Sequence, residues 1–178
     1  MQRGRQRSIR GTAHLAAAAL LLAIAGCGFA LRGAIHIPYD PLHLAIPAYS
    51  NFGAQLKRAV IAQGSARLTE IPGEAMAILT PTGEAREKTI LSLNSAGRAR
   101  EFQLQYRYSF RLHDHGGRDL IEPATIVLTR DMSFDDAAVL AKEQEEALLW
   151  RDMESDLVQQ VLRRLAVSPQ PVAGSVAR

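Results

Sequence analysis

The 178-residue sequence predicts an α+β fold. We expect a two-layer sandwich, in which a mixed, mainly antiparallel sheet of about four strands carries two helices on one face. Three observations support this prediction: a strictly alternating segment in mid-chain, a helical periodicity before it, and a long helical segment after it. The predicted order is β-α-β-β-β-α. The composition agrees with one globular domain, since 47% of the residues are hydrophobic and 22% are charged.

The first strand and the first helix are predicted to be short. Residues 42–46 alternate in polarity between Pro41 and Pro47, which indicates a strand at a sheet edge. Apolar residues then recur at helical spacing near 52–63, and Gly64 supplies a stop signal. A crossover from this strand through the helix to the next strand allows a parallel pair.

Strand-like segments continue the chain after this helix. Two of them, 75–80 and 84–93, flank Pro81-Thr82-Gly83, which marks either a turn or a bulge. Another, 120–130, closes a meander, and Pro123 places its beginning at an edge or a bulge.

Residues 100–112 carry the clearest pattern. From residue 101 to residue 112, polar residues occupy the odd positions and apolar residues the even ones without exception. A period of two predicts a long strand with one buried face and one solvated face. The residues predicted to be buried are Phe102, Leu104, Tyr106, Tyr108, Phe110 and Leu112.

The last helix is predicted to begin at a capping box formed by Ser133 and Asp136 and to end near Leu165. Its apolar residues share one arc that should pack on the sheet, but Glu143 and Glu146 fall within the same arc. The helix therefore either bends or extends beyond the sheet. We expect both glutamates to pair with arginines of the strands.

Residues 1–26 have the organisation of a lipoprotein signal peptide. Arginines precede an apolar run of about 13 residues, which is shorter than the ~20 that a spanning helix needs. The run ends at Ile24-Ala25-Gly26-Cys27, which resembles a bacterial lipobox, so Cys27 is the expected lipidation site. We predict a single domain over 27–167 and a disordered tail over 168–178.

The charge distribution argues against a nucleic-acid partner. The formal net charge is +3, but residues 1–26 hold four arginines and no acid, so the rest of the chain carries one excess acid. Cys27 is the only cysteine, which excludes an intrachain disulfide.

No catalytic motif stands out, and no cofactor is expected. A lipid-anchored, metal-dependent periplasmic enzyme would need His113, His115 and Asp119 as ligands, but the histidines lie beside a predicted turn. A third hypothesis is an auxiliary lipoprotein of an ABC-type transporter, which would bind small lipids beneath the last helix. Arg98, Arg100, Arg107 and Arg111 could bind phosphate groups, although a solvated strand face explains Arg107 and Arg111 equally well.

The order and spacing of several segments resemble the LPS-assembly lipoprotein family LptE. The resemblance extends over most of residues 26–165. It is carried by residues 26–33, 97–104, 130–135, 139–145, 151–153 and 162–165.

This resemblance implies a non-enzymatic lipoprotein held at the outer membrane through acyl chains on Cys27. The residue after Cys27 is Gly28, and not the Asp that usually retains bacterial lipoproteins at the inner membrane. Proteins of this family occupy the lumen of the β-barrel LptD, assist its assembly and bind lipopolysaccharide in transit to the cell surface. Lys142 matches the family's binding lysine, and Arg98 and Arg100 lie nearest to its binding arginine. All three are expected to contact lipid A phosphates.

Overall fold

The computed structural model describes residues 35–64 and 66–167. The predicted signal peptide, Cys27 and the predicted tail over 168–178 therefore lie outside the described residues. The elements are β1 (Leu42–Leu44), α1 (Asn51–Gln63), β2 (Ala77–Leu93), β3 (Ala99–His113), β4 (Asp119–Ser133) and α2 (Val139–Val167), with short 3₁₀ turns at Pro72–Glu74 and Asp136–Ala138. This order confirms the predicted α+β class.

The four strands form one open sheet in the order β1-β2-β3-β4. β1 runs parallel to β2, with Leu42 opposite Ala77, and the other neighbours are antiparallel. The parallel pair allowed by the first crossover is therefore present. β1 and β4 are edge strands, as the prolines around β1 and within β4 indicated.

β2 is one strand and not two. The pairing with β3 continues through Pro81-Thr82-Gly83, where a register shift forms a bulge. Beyond this bulge, Glu84 lies opposite Tyr108 and Arg86 lies opposite Tyr106. Charged residues of β2 therefore share the face of the sheet that carries the helices.

The core lies between this face and the two helices. The alternation of β3 is confirmed at five of its predicted buried positions, because Leu104, Tyr106, Tyr108, Phe110 and Leu112 are all at most 1% exposed. Phe102, also predicted to be buried, is only partly buried at the edge of the core. α1 and α2 supply the opposing side chains: Phe52, Leu56 and Val60 from α1, and Met153, Leu157, Val158, Val161, Leu162 and Leu165 from α2.

α1 is delimited by local signals. The Ser50 hydroxyl accepts a hydrogen bond from the Gly53 N–H at 3.1 Å. Gly64 ends the helix in the left-handed region, at φ 59°, which favours glycine. The approach to α2 differs from the prediction: Ser133 ends β4, and Asp135 caps the 3₁₀ turn by accepting from the Ala137 N–H at 2.9 Å.

α2 extends beyond the core at its beginning. Residues 139–152 include no buried side chain, whereas the buried positions start at Met153. Val139 is 41% exposed and Leu140 is 75% exposed. Of the two explanations for acids within the apolar arc, the structure thus supports the extension past the core.

Candidate functional site

The three predicted cations lie at one end of the sheet, where the β2–β3 hairpin meets the approach to α2. The Arg98 guanidinium pairs with Asp136 Oδ2 at 2.8 Å. The Arg100 carbonyl accepts from the Phe134 N–H at 2.8 Å. Lys142 Nζ donates to the Ser133 hydroxyl at 3.0 Å. Because residues 133–136 contact all three, we call Arg98, Arg100 and Lys142 the cationic cluster.

Local turn chemistry fixes the hairpin that presents the two arginines. Asn94 Oδ1 accepts hydrogen bonds from the N–H groups of Ala96 and Arg98, at 2.9 and 3.0 Å. Gly97 has φ 73°, a conformation that other residues adopt at a cost. The turn therefore holds the backbone of Arg98 in place while leaving its side chain exposed.

The cluster members differ in availability for a ligand. Lys142 pairs with Glu145 at 2.8 Å, and its side chain is only 18% exposed. The Arg98 side chain is 65% exposed despite its pair with Asp136. Arg100 is exposed, and it forms no ion pair within residues 35–64 and 66–167. An anionic ligand would therefore meet Arg100 directly and compete with carboxylates for the other two.

Exposed aliphatic side chains accompany the cations at this end. Ile90, Leu91 and Leu93 of β2 are 50% to 56% exposed, in addition to Val139 and Leu140 of α2. We call these five residues the apolar rim. Large exposed apolar side chains near one end of a fold are candidates for a binding surface.

An aromatic pair lies at the same end of the sheet. Phe102 of β3 and Phe134 meet edge to face, with ring centroids 5.2 Å apart. Lys88 Nζ lies 4.3 Å from the centre of the Phe102 ring, a cation–π contact.

Ion pairs connect β2 to α2 between this end and the core. Lys88 Nζ pairs with Glu146 at 2.6 Å, and Arg86 pairs with Glu154 at 3.0 Å. The expected pairing of Glu143 and Glu146 with arginines of the strands was therefore wrong. Glu146 pairs with a lysine, and Glu143 is exposed with no ion pair among the described residues. Acids of α2 face β2 because cations of β2 occupy the same face.

Burial and hydrogen bonding have opposite effects on the pKa of Glu146. Its burial alone would raise the pKa of the carboxyl. The hydrogen bonds from Lys88 and from Trp150 Nε1, the latter at 3.2 Å, outweigh that effect and hold the pKa below its ordinary value. Glu146 is therefore charged in the folded protein at neutral pH.

Glu154 is the centre of a polar network between the layers. It is 4% exposed and accepts from Gln55 Nε2 and Arg86, both at 3.0 Å. Arg86 also donates to the Tyr106 hydroxyl at 3.2 Å, and that hydroxyl donates to Glu84 at 2.7 Å. Burial raises the pKa of Tyr106, so its hydroxyl keeps the donated proton.

On the other face of the sheet, which none of the helices within residues 35–64 and 66–167 covers, polar side chains predominate. Its side chains satisfy one another: Gln103 donates to Asp131 at 3.0 Å, and Ser109 and Thr125 share a hydrogen bond of 2.8 Å. Arg111 pairs with Asp119 at 2.8 Å. Arg107 donates to Gln105 at 3.1 Å. We call this the open face.

The proposed metal ligands are not assembled. His113 uses both ring nitrogens, with Thr80 Oγ1 at 3.0 Å and the Asp114 carbonyl at 2.8 Å. Asp119 is paired with Arg111. No group of three or more His, Cys, Asp or Glu side chains suited to a metal occurs in the part of the chain that the structure describes. Likewise, no helix among those residues is long and apolar enough to cross a bilayer.

Solved lipoprotein structures share this fold. A lipoprotein B from Nitrosomonas europaea, described as uncharacterized, is 39% identical, with a TM-score of 0.66 over 78% of this chain and 90% of its own. A minor lipoprotein from Acinetobacter baumannii is 27% identical, with a TM-score of 0.61 over 75% and 98%. The rare lipoprotein B from Shewanella oneidensis, 21% identical with a TM-score of 0.61 over 71% and 92%, shares the fold. The chain is thus similar in structure to bacterial lipoproteins.

The family follows from the sequence comparison. The model of the LptE family, described as lipopolysaccharide-assembly, matches residues 39–165. An LPS-assembly lipoprotein LptE from Yersinia pestis (strain Pestoides F) is 28% identical over 153 residues, covering 82% of this chain and 70% of its own. The chain belongs to the LptE family, as the resemblance indicated, and this family of outer-membrane lipoproteins takes part in lipopolysaccharide assembly.

Proposed function

We propose that this protein occupies the lumen of the outer-membrane β-barrel LptD, assists the assembly of that barrel, and binds lipopolysaccharide through the cationic cluster. Acyl chains on Cys27 would anchor it to the outer membrane, and the role is not enzymatic. The observation that carries the proposal is the presence of the cationic cluster and the apolar rim at one end of the sheet.

Lipid A combines phosphate groups with acyl chains, and this end offers a partner for each. Guanidinium and ammonium groups form charge-assisted hydrogen bonds with phosphate oxygens. Arg100 is exposed and lacks an ion pair among the described residues, so phosphate binding there displaces no carboxylate. The apolar rim supplies surface for acyl chains, since its five aliphatic residues are each at least 41% exposed.

The open face suits a protein partner with a polar surface. Barrel lumens are lined by polar side chains. The charges of the open face are largely paired on the sheet itself, as with Arg111 and Asp119, so docking against a polar wall leaves few uncompensated charges. A lipid tether raises the effective concentration of the domain near a barrel in the same membrane.

The lipopolysaccharide site is tested with a variant that replaces Arg98, Arg100 and Lys142 with alanine. We expect at least a tenfold loss of affinity for purified lipopolysaccharide at low salt, with a smaller difference at high salt because the contacts are ionic. The matched control replaces Arg107 and Arg118 with alanine, because both are cations outside the cationic cluster. Equal affinities of the triple variant and the wild type would contradict this site.

The barrel partner is tested by purification from membranes through a tag after residue 178. We expect LptD to be recovered in a stable complex. Substituting Ser109 and Thr125 by arginine places two unpaired charges on the open face and should reduce the recovery. A monomeric lipoprotein without LptD would contradict the proposed partner.

A further inference from the structure

A fourth cation, Lys88 of β2, lies beside the apolar rim and outside the cationic cluster. Lys88 and Ile90 are two residues apart on the strand, so they share the face that carries the helices. Ile90 lies opposite Phe102, and the centre of the Phe102 ring is 4.3 Å from Lys88 Nζ. Phe102 in turn contacts Phe134, whose N–H donates to the Arg100 carbonyl. A continuous series of contacts therefore connects Lys88 with the cationic cluster.

The ion pair of Lys88 places its ammonium group close to Lys142. Lys88 Nζ contacts Glu146 Oε2 at 2.6 Å. Glu146 and Lys142 are four residues apart on α2, so their Cβ atoms are about 5–6 Å apart on one side of the helix. The ammonium group of Lys88 thus lies about one helical turn from Lys142, on the side towards the core.

A ligand can reach Lys88 and take it from Glu146. The Lys88 side chain is 34% exposed, and residues 139–152 of α2 bury no side chain above it. When an anionic ligand takes Lys88, Glu146 keeps the hydrogen bond from Trp150 Nε1 at 3.2 Å. The exchange therefore leaves the carboxylate with a donor.

The other cation of β2, Arg86, is not exchangeable in this way. Arg86 pairs at 3.0 Å with Glu154, whose side chain is only 5% exposed. Moving Arg86 to a ligand would leave a buried carboxylate without its cation, which is strongly unfavourable. Of the two cations of β2, Lys88 is therefore the one that a ligand can recruit.

We propose that Lys88 binds one of the two phosphates of lipid A, exchanging its ion pair with Glu146 for the ligand, and thereby makes the site selective for the bisphosphorylated lipid. The inference rests on the proposed function. Lipid A carries a phosphate at each end of a disaccharide, so two separate groups of cations suit it. Arg98 and Arg100 at the hairpin form one group, and Lys142 and Lys88 along α2 form the other. An ammonium group binds a phosphate oxygen through a charge-assisted hydrogen bond.

The first experiment measures binding of the full lipoprotein in detergent to bisphosphorylated lipid A and to its two monophosphorylated isomers at low salt. Lys88→Ala should weaken the binding of the bisphosphorylated lipid about three- to tenfold, the effect of one hydrogen bond to a charged group less the cost of releasing Glu146. The loss should disappear with the isomer that lacks the phosphate bound by Lys88. An equal loss with all three lipids would overturn the selectivity.

The second experiment separates a ligand contact from a structural role, because Glu146→Gln disrupts the same ion pair from the other side. A structural role predicts weaker binding in both variants. A ligand contact predicts opposite effects: Lys88→Ala binds more weakly, and Glu146→Gln binds about two- to fivefold more tightly, since no carboxylate competes for Lys88. The matched controls, Lys57→Ala and Glu70→Gln, disrupt a lysine–glutamate pair that involves neither β2 nor α2 and should bind as the wild type does.

Two outcomes overturn the proposal: full affinity of Lys88→Ala for bisphosphorylated lipid A, or equal losses of affinity in Lys88→Ala and Glu146→Gln. Urea denaturation checks that both variants are folded under the binding conditions. Failure of the proposed function is distinguishable, since the triple alanine variant of the cationic cluster would then bind as tightly as the wild type. A loss in the triple variant with full affinity in Lys88→Ala contradicts the role of Lys88 alone.

Discussion

Glu154 of α2 and Arg86 of β2 form an ion pair of 3.0 Å in which the carboxylate side chain is 5% exposed and the guanidinium side chain 40%. The pair connects the helix layer to the sheet beyond the β2 bulge, where β2 contributes no buried apolar residue. An ionic contact thus joins β2 to α2 in the part of β2 that buries no apolar side chain.

Glu154→Ala should lower the free energy of unfolding by about 2–3 kcal/mol, somewhat less than for a fully buried pair because Arg86 is partly solvated. Urea denaturation measures the change. Glu143→Ala, an exposed position on the same helix, is the matched control and should change stability by less than about 0.5 kcal/mol. Equal effects of the two substitutions would show that the pair is not structural.

Glu146 should make stability sensitive to acid. Its pKa in the folded protein lies below its ordinary value of 4.5, so its stabilising contribution is complete above that pH and is lost as the pH falls through the folded pKa. The difference in unfolding free energy between wild type and Glu146→Gln should be constant from pH 7 to 5 and shrink below about pH 4.5. A difference that grows towards low pH would contradict this assignment.

Gly53→Ala should destabilise the protein. A Cβ at Gly53 would lie 2.7 Å from Ile46 Cγ2 and 3.3 Å from Ile46 Cβ, so the Ile46 side chain must move from its packed position. We expect a loss of about 1–3 kcal/mol, and partial recovery in the double variant with Ile46→Ala. The matched control is Gly83→Ala, whose nearest contact would be an ordinary 3.8 Å to Ser109. Thermal unfolding should therefore separate the two variants.

Asp136→Asn should increase the affinity for lipopolysaccharide two- to fivefold at low salt. The substitution removes the carboxylate that now occupies Arg98 at 2.8 Å, so a phosphate no longer competes with it. Asp114→Asn is the control, since it removes the partner of Arg118 in the other hairpin. If Asp136→Asn binds lipopolysaccharide more weakly than wild type, Arg98 does not contact the ligand.

The parts of the fold that the sequence predicted are those with a local signal. The faces of β3 follow from its strict alternation, since burial of one face requires a period of two. The carboxyl end of α1 follows from Gly64, whereas the cap at Ser50 was not predicted. In contrast, Pro81-Thr82-Gly83 fits both a turn and a bulge, and the pairing of Pro81 with Phe110 and of Gly83 with Ser109 decides between them.

The candidate site was harder to predict because its contacts join distant segments. The sequence identified Arg98, Arg100 and Lys142 through a family resemblance, and the structure adds their partners. Arg98 and Asp136 lie in different connections, so no local spacing indicates their pair. Lys142 and Glu145 are three positions apart on a helix, a spacing at which ion pairs form, so this pair could have been found.

The region beyond the core has a dynamic consequence. The distal half of β2 and the first turns of α2 bury no side chain, so separating them exposes little apolar surface and requires only a small free energy. Amide hydrogens there should exchange with solvent through sub-global opening, whereas those of Leu104 to Leu112 should await global unfolding. The distal half of β2 and the first turns of α2 can thus change their relative position around a large ligand while the rest of the domain stays folded.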